Sequence, residues 1–71
     1  PFKLKSFLRN EAKIKDENVS KYIPMLKQNE IDEEALLLLT NEDLEKIGVA
    51  AMGDCKKILA ARDKRKIAIQ L

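Results

Sequence analysis

The stretch EIDEEALLLLTNEDLEKIGVAAMGDCKKIL, residues 30–59, decides the fold because it contains two helix starts, one helix stop and a run of leucines. Asp32 can cap the first of these helices by accepting hydrogen bonds from its opening amides. The apolar residues at the i, i+4, i+7, i+8 spacing of a buried helical stripe are Ile31, Ala35, Leu38 and Leu39. This stretch therefore predicts a short amphipathic helix in a small helical domain.

A second helix is predicted to start after Thr40 and to end at Gly48. The Thr40 hydroxyl can accept from the first-turn amides, and Asp43 is placed to complete a capping box. Leu44 and Ile47 are predicted to face the core. Gly48 is predicted to end the helix because glycine adopts the left-handed conformation of a helix C-terminus without a Cβ clash.

A third helix follows an elbow at residues 49–53 and is predicted to begin at about Gly53 or Asp54. Its inner side is predicted to carry Cys55, Ile58, Leu59 and either Ala61 or Arg62. Residues 63–71 are interpreted as an extension of this helix or as a tail that leads into the next segment of a longer protein.

The first part of the chain predicts two further helices. The first is identified by an apolar stripe formed by Leu4, Phe7, Leu8 and Ala12. Residues 14–20 are interpreted as a connection because they are rich in turn and N-cap formers. The next helix is predicted to start at Asn18 or Ser20, and a cap at Ser20 or Lys21 keeps Pro24 in the first turn, where its missing N–H costs little. It is predicted to end near Asn29.

Tyr22 is predicted to belong to the core, on the same helix face as Met25 and Leu26. Its ring is expected to pack near Leu44 and Ile58 with its hydroxyl at the surface. The less favoured alternatives are a phosphorylation site or a base-stacking platform. The chain has three aromatic residues, and they do not alternate with basic residues as on a single-strand nucleic-acid surface.

The composition limits the function classes. A chain of 71 residues allows one domain, expected over residues 1–71 with a core of about 4–62, and its thin core stabilises the fold by only about 3–5 kcal/mol. Histidine and tryptophan are absent and Cys55 is the single cysteine. Ser-His-Asp and Cys-His nucleophiles and most zinc sites are thereby excluded. We expect no enzyme activity, no cofactor, no metal and no small-molecule substrate.

The chain has no apolar run of about 18 residues and no signal-peptide pattern, so no contact with a membrane is expected. An intracellular location is predicted, in the cytoplasm or alternatively the nucleus. Because the chain begins at Pro1 rather than Met, we interpret it as a fragment of a larger protein.

Charge is strongly segregated along the chain. Residues 1–29 carry a net charge of +4, residues 30–45 carry −7 with no basic group, and residues 46–71 carry +5, which together give +2. Such a surface can attract a second copy head to tail or a partner of either sign. The alternative is that these charges belong to solvated helix faces.

The order EID-x-x-ALLLLT-x-EDL-x-x-IGV-x-x-x-G-x-x-x-KIL resembles the sterile alpha motif, or SAM, domain. The resemblance covers roughly residues 19–61. The positions that match the family are Tyr22, Leu26, Glu30, Ile31, Leu36, Leu39, Thr40, Asp43, Leu44, Gly48, Gly53, Lys57, Ile58 and Leu59. The resemblance implies an all-α, compact five-helix bundle with a long C-terminal helix.

The resemblance also implies a non-catalytic protein–protein interaction module of a scaffold, signalling or regulatory protein, in which an acidic mid-loop surface of one SAM domain meets the start of helix five of another. The mid-loop residues would be Asp32, Glu33, Glu34, Glu42, Asp43 and Glu45. The end-helix residues would be Val49, Ala51, Met52, Gly53, Lys56 and Lys57. Gly53 has two open interpretations, close approach of a partner and accommodation of a tight turn into the helix.

Two departures from the family pattern bear on the choice of partner. Asp54 and Cys55 stand where the family frequently has basic residues or histidine, and Arg62 replaces an expected inward hydrophobic residue. The first departure weakens the positive end, so pairing with a different SAM domain is favoured over self-association.

RNA stem-loop binding is the alternative function. Some SAM domains bind a hairpin through basic residues of helix one and the start of helix five. The candidates in this chain are Lys3, Lys5, Arg9, Lys56 and Lys57. Asp54 is expected to face the phosphates and oppose binding, so RNA is the less favoured partner.

Overall fold

The computed structural model describes residues 2–70, which form five helices and contain no strand. The first helix, α1, spans residues 4–11 as an α-helical turn, Leu4–Ser6, that continues into a π-helical stretch, Phe7–Glu11. The others are α2 (Asp16–Gln28), α3 (Glu33–Leu38), α4 (Asn41–Ile47) and α5 (Met52–Gln70). The predicted all-α five-helix bundle is confirmed, and α5, with 19 residues, is the predicted long C-terminal helix.

Each of the five helices contributes apolar side chains to one core. Its buried members among the described residues are Phe7, Leu8, Ala12, Ile14, Val19, Tyr22, Leu26, Leu36, Leu39, Leu44, Val49, Cys55, Ile58 and Ala61. The stripes predicted for α1 and α4 agree with this core, except that Leu4 and Ile47 are only partly buried. The π-helical end of α1 contributes through a wide turn in which the Ala12 amide donates to the Phe7 carbonyl at 2.9 Å.

The start predicted for the second helix is wrong. α2 begins at Asp16, two to five residues before the predicted positions, so residues 16–20 are helical and Pro24 lies in the helix interior. The helix continues through Pro24 because Val19 before it and Leu26 after it both pack into the core. Tertiary packing thus offsets the backbone hydrogen bond that proline cannot donate.

The apolar face predicted for α3 is partly wrong. Leu38 is 72 % exposed, whereas Leu36 is fully buried and Leu39 nearly so. The reason is geometric, since α3 has only six residues. Ile31 precedes its N-cap and Leu39 is its extended C-cap, so the four positions do not form one helical stripe. One run of four leucines therefore provides both core and surface side chains.

The ends of α2 and α4 have the same backbone hydrogen-bond pattern. After α4, the Val49 amide donates to the Leu44 carbonyl at 2.9 Å, and Gly48 has φ 121°. After α2, the Ile31 amide donates to the Leu26 carbonyl at 3.0 Å, and Glu30 has φ 53°. This is the Schellman motif, in which a left-handed residue lets the next amide bond back into the last turn.

Arg62, which stands where a hydrophobic residue was expected, binds the end of α3. Its Nη1 atom donates to the carbonyl oxygens of Leu37 at 3.2 Å and Leu39 at 2.6 Å. These carbonyls lie at the end of the short helix, where no intrahelical donor is left for them. The guanidinium thus joins α5 to α3 through hydrogen bonds instead of apolar packing.

Residues 63–70 are part of α5 in the structure, and Leu71 lies outside the described residues. Ile67 and Ile69 in this extension are exposed. No helix within residues 2–70 combines the length and the apolar character that a bilayer crossing demands.

Replacing Gly48 with alanine is expected to lower the free energy of unfolding by about 1 kcal/mol or more. The positive φ disfavours a Cβ, and that Cβ would lie 3.2 Å from the Met25 sulfur. Gly53→Ala is the matched control, because a Cβ at Gly53 meets nothing within 4 Å. Urea unfolding followed by circular dichroism should show a lower midpoint for Gly48→Ala alone, and equal loss in both variants would contradict this assignment.

Candidate interaction surfaces

The acidic residues predicted for the mid-loop side lie on α3 and α4 and at the caps of these helices. Asp32 caps α3, its Oδ1 accepting from the Ala35 amide at 2.8 Å. Thr40 and Asp43 form the predicted capping box of α4, with both hydrogen bonds at 3.1 Å. Each cap uses one oxygen of an aspartate carboxylate. The carboxylates of Asp32 and Asp43 therefore remain acceptors and keep a full negative charge next to a helix N-terminus.

Glu33 differs from the other acidic residues of this set because it forms an ion pair within the chain. Its Oε2 atom lies 2.7 Å from the Nη2 atom of Arg65, whose Nη1 atom lies 2.9 Å from a carboxylate oxygen of Glu11. Arg65 therefore joins α1, α3 and α5. Since its charge is already compensated, Glu33 contributes less to an acidic binding surface than the sequence suggested.

Glu45, at the other end of the acidic set, lies toward α5. Its carboxylate accepts from the side-chain amide of Asn41 at 3.1 Å. Burial raises the pKa of the Cys55 thiol, and the charges of Glu45 and Asp54 raise it further. Glu45 thus contributes to the electrostatic environment of the Cys55 thiol.

Val49 was predicted to contact a partner, and the structure contradicts this. Its side chain is fully buried because it follows the left-handed Gly48 and packs into the core, and its carbonyl accepts from the Cys55 thiol at 3.2 Å. The remaining predicted end-helix residues are exposed on or just before the first turns of α5: Ala51, Met52, Gly53, Lys56 and Lys57. Met52 is 71 % exposed.

Gly53 lies inside the first turn of α5, where the structure shows no need for glycine. Its φ is not positive, and a Cβ at this position would meet no atom within 4 Å. A tight turn that only glycine could adopt is therefore not the reason for Gly53. The open space in front of it is available to another molecule.

Asp54 is a buried acid that anchors α5 to α2, a role that the sequence did not reveal. Its Oδ2 atom accepts from the Tyr22 hydroxyl at 2.5 Å and from the Asn18 side-chain amide at 3.1 Å. The Tyr22 ring is buried as predicted, but its hydroxyl donates inside the protein and does not reach the surface. The prediction that Asp54 would face phosphates is likewise wrong.

The burial of Asp54 changes the electrostatics at the start of α5. Asp54 is 9 % exposed and Cys55 is buried, so neither presents its side chain to a partner. The exposed charges of the first turns are then Lys56 and Lys57. These lysines lie near the positive end of the helix dipole, above the buried Asp54 carboxylate.

The five-helix architecture agrees with the comparison with known families. The SAM domain (sterile alpha motif) profile matches residues 14–65 of the chain. The chain belongs to the SAM domain family. Members of this family are non-catalytic modules that mediate protein–protein interactions.

Curated relatives support the same assignment. The chain is 38 % identical over 60 residues to ankyrin repeat and SAM domain-containing protein 4B of Mus musculus and 37 % identical over 60 residues to that of Homo sapiens, which is 84 % of the chain in both cases. It is 40 % identical over 48 residues, 68 % of the chain, to ankyrin repeat and SAM domain-containing protein 6 of Mus musculus. The aligned part spans 14 % of the 4B proteins and 5 % of protein 6. No solved structure matches the chain.

The basic residues considered for RNA binding lie in different environments in this SAM domain. Arg9 forms an ion pair with Asp16 at 3.1 Å. Lys3 and Lys5 line a groove against α2, whereas Lys56 and Lys57 lie at the start of α5.

The Tyr22 hydroxyl is expected to titrate far above its ordinary range. Burial and the hydrogen bond to Asp54 raise its pKa from 10.0 to about 12. Because the folded pKa exceeds the unfolded one, the stabilisation is complete below pH 10 and is lost as the pH rises through 12. Tyr22 is the single tyrosine and tryptophan is absent, so tyrosinate absorbance reports this group alone.

The absorbance midpoint should lie near 12 in the folded protein and near 10 in urea. Asp54→Asn should move the folded midpoint downward, whereas Glu17→Gln, which removes an exposed carboxylate of α2, should leave it unchanged. A folded midpoint near 10 in the wild-type protein would show that the buried hydrogen bond does not form in solution.

Proposed function

We propose that this SAM domain is a non-enzymatic interaction module that binds another SAM domain head to tail. One side is the mid-loop surface, formed by Asp32, Glu34, Glu42, Asp43 and Glu45, with Glu33 at its edge. The other side is the end-helix surface, formed by Ala51, Met52, Gly53, Lys56 and Lys57. The observation that carries the proposal is that opposite charges lie exposed on different helices and are not paired with each other inside the chain.

The charge argument rests on the ion pairs of residues 2–70. Within that part of the chain, no lysine or arginine nitrogen lies within 4.0 Å of a carboxylate of the mid-loop surface other than that of Glu33, and Lys56 and Lys57 have no carboxylate at that distance. Charges left unpaired in one copy gain about 0.2 to 1 kcal/mol per exposed ion pair that they form with a partner. Association is therefore favoured by several such contacts at once.

Apolar side chains complement the charges on both surfaces. A groove of about 380 Å³ lies beside Asp43, and its apolar lining is formed by Ile31, Ala35, Leu38, Leu39 and Ile47. Met52 projects from the end-helix surface, next to the open space in front of Gly53. A flexible thioether side chain adapts well to such a groove, so a methionine or similar residue of one domain can provide the apolar anchor for the other.

A different SAM domain with a more basic end-helix surface is the favoured partner. The end-helix surface of this chain has two exposed lysines with the buried Asp54 carboxylate beneath them, whereas the mid-loop surface carries five acidic residues in addition to Glu33. The acidic surface is thus the stronger of the two. A second copy of this chain is the weaker partner.

The chain as a single domain, residues 1–71, is proposed to act within a larger intracellular scaffold, signalling or regulatory protein, in the cytoplasm or the nucleus. The names of the relatives pair a SAM domain with ankyrin repeats. A module that only binds is useful in such a protein because it joins other domains into one assembly.

Glu42→Lys and Lys56→Glu are each expected to weaken association at least about tenfold without unfolding the domain, because both side chains are exposed. Each variant keeps one intact surface, so an equimolar mixture should form a dimer of defined mass that neither variant forms alone. Sedimentation velocity measures this, and circular dichroism checks the fold.

Glu17→Lys and Lys64→Glu are the matched controls, since they make the same charge changes at exposed positions of α2 and α5 outside the proposed surfaces. Equal weakening by the controls would mean that net charge, rather than these two surfaces, drives association. If the wild-type chain stays monomeric, a pull-down tests whether it binds a different SAM domain. The wild-type bait should capture that domain, and the Glu42→Lys bait should not.

A further inference from the structure

A groove of about 580 Å³ lies between the N-terminal segment and α2, apart from the end-helix surface. Its apolar lining consists of Phe2, Leu4, Ile23 and Ile31, all partly buried, and its charged lining consists of Lys3, Lys5, Lys27 and Asp32. We propose that this groove binds an acidic peptide segment of a partner protein that inserts an apolar side chain between the lysines.

The wall formed by Phe2 is held in place by two aromatic contacts. The Phe2 ring lies 6.1 Å from the Phe7 ring at an angle of 50°, and the Arg65 guanidinium carbon lies 4.8 Å from the centre of the Phe2 ring. Arg65 is in turn fixed by the carboxylates of Glu11 and Glu33. Because this wall is ordered before a ligand arrives, binding loses less conformational entropy.

The charges of the groove favour an acidic ligand. Within residues 2–70, no carboxylate lies within 4.0 Å of the ammonium groups of Lys3, Lys5 or Lys27. Asp32, the single acid in the lining, already accepts the hydrogen bond that caps α3. The lining thus offers three unpaired positive charges around an apolar floor, which is complementary to glutamate or aspartate flanking one apolar residue.

A peptide fits these charges better than an anionic membrane surface. The carboxylate of Asp32 lines the groove, and the exposed carboxylate of Glu34 follows it at the start of α3. A flat bilayer large enough to cover the lysines would also bring lipid phosphates toward these carboxylates, which repel them. A narrow peptide can instead place its acidic side chains at the lysines alone.

One wall of the groove lies outside the part of the chain that the SAM family profile matches. The family profile begins at residue 14, whereas one wall of the groove is built from residues 2–5. It also does not include Glu42 or Lys56, on which the test of head-to-tail association depends. Failure of one proposal therefore leaves the other standing.

Fluorescence anisotropy with a short labelled peptide tests the proposal. The peptide contains a leucine and a phenylalanine with glutamates on both sides of this apolar pair. It should bind the wild-type domain, and Lys27→Glu should weaken binding at least about tenfold. Lys21→Glu is the matched control because Lys21 is exposed on the same helix but does not line the groove. Probes with glutamine for glutamate, or serine for the apolar pair, should each bind much more weakly.

Equal loss with Lys21→Glu, or undiminished binding of the serine probe, would overturn the proposal, because only net charge would then be recognised. Absence of binding by the wild-type domain would also overturn it. Two further measurements compare the partner classes. If the domain binds phosphatidylserine vesicles and Lys27→Glu weakens that binding, the groove is assigned to a membrane. If the domain self-associates in sedimentation and Lys27→Glu weakens that association, the groove is assigned to a second copy.

Discussion

The hydrogen bonds of the buried Asp54 carboxylate hold the start of α5 in place, and the rest of the domain depends on them. A charged group without partners would be costly in this environment, but here the Tyr22 hydroxyl and the Asn18 amide both donate to it. All three groups must therefore stay together for the fold to be stable. Because Asn18 and Tyr22 lie on α2, the bonds fix α5 against α2 and thereby fix the position from which Met52, Lys56 and Lys57 are exposed.

The structure of residues 30–59 could largely be predicted from the sequence because its helix ends are set by local side-chain chemistry. Thr40 and Gly48 mark the ends of α4 by residue type alone, and both were predicted correctly. The end of α2 has the same motif with Glu30 at positive φ, and glutamate gives no such signal. The start of α2 was missed because Pro24 suggested a later one, whereas burial on both sides of it keeps the helix intact. Contacts between helices decided the start of α2, and no local pattern records them. The end of α2 was nevertheless predicted correctly, near its C-cap Asn29.

The candidate surfaces could be predicted as sets of charges but not as exposed side chains. Val49 and Glu33 belong to the right segments, yet the first is buried behind Gly48 and the second is bound to Arg65 from α5. Leu38 shows the opposite error, since it was expected in the core and is exposed beside Asp43. The error for Glu33 concerns a partner 32 positions away, that for Val49 the turn at Gly48, and that for Leu38 the rotation of a short helix. Asp54 stands at a position where the family frequently has a basic residue. That difference was the one feature of the sequence that could have indicated the buried hydrogen bond to Tyr22.

The connection between α2 and α3 links the core to both grooves. Because Glu30 has φ 53°, the chain turns sharply after α2, and the Ile31 amide bonds back to the Leu26 carbonyl. This places Ile31 between the two grooves, so that its side chain lines both, and leaves Asp32 free to cap α3 at the rim of the larger one. A substitution that alters this turn would thus shift both grooves as well as the helix cap. In a domain with so thin a core, the same few residues stabilise the fold and shape the surface.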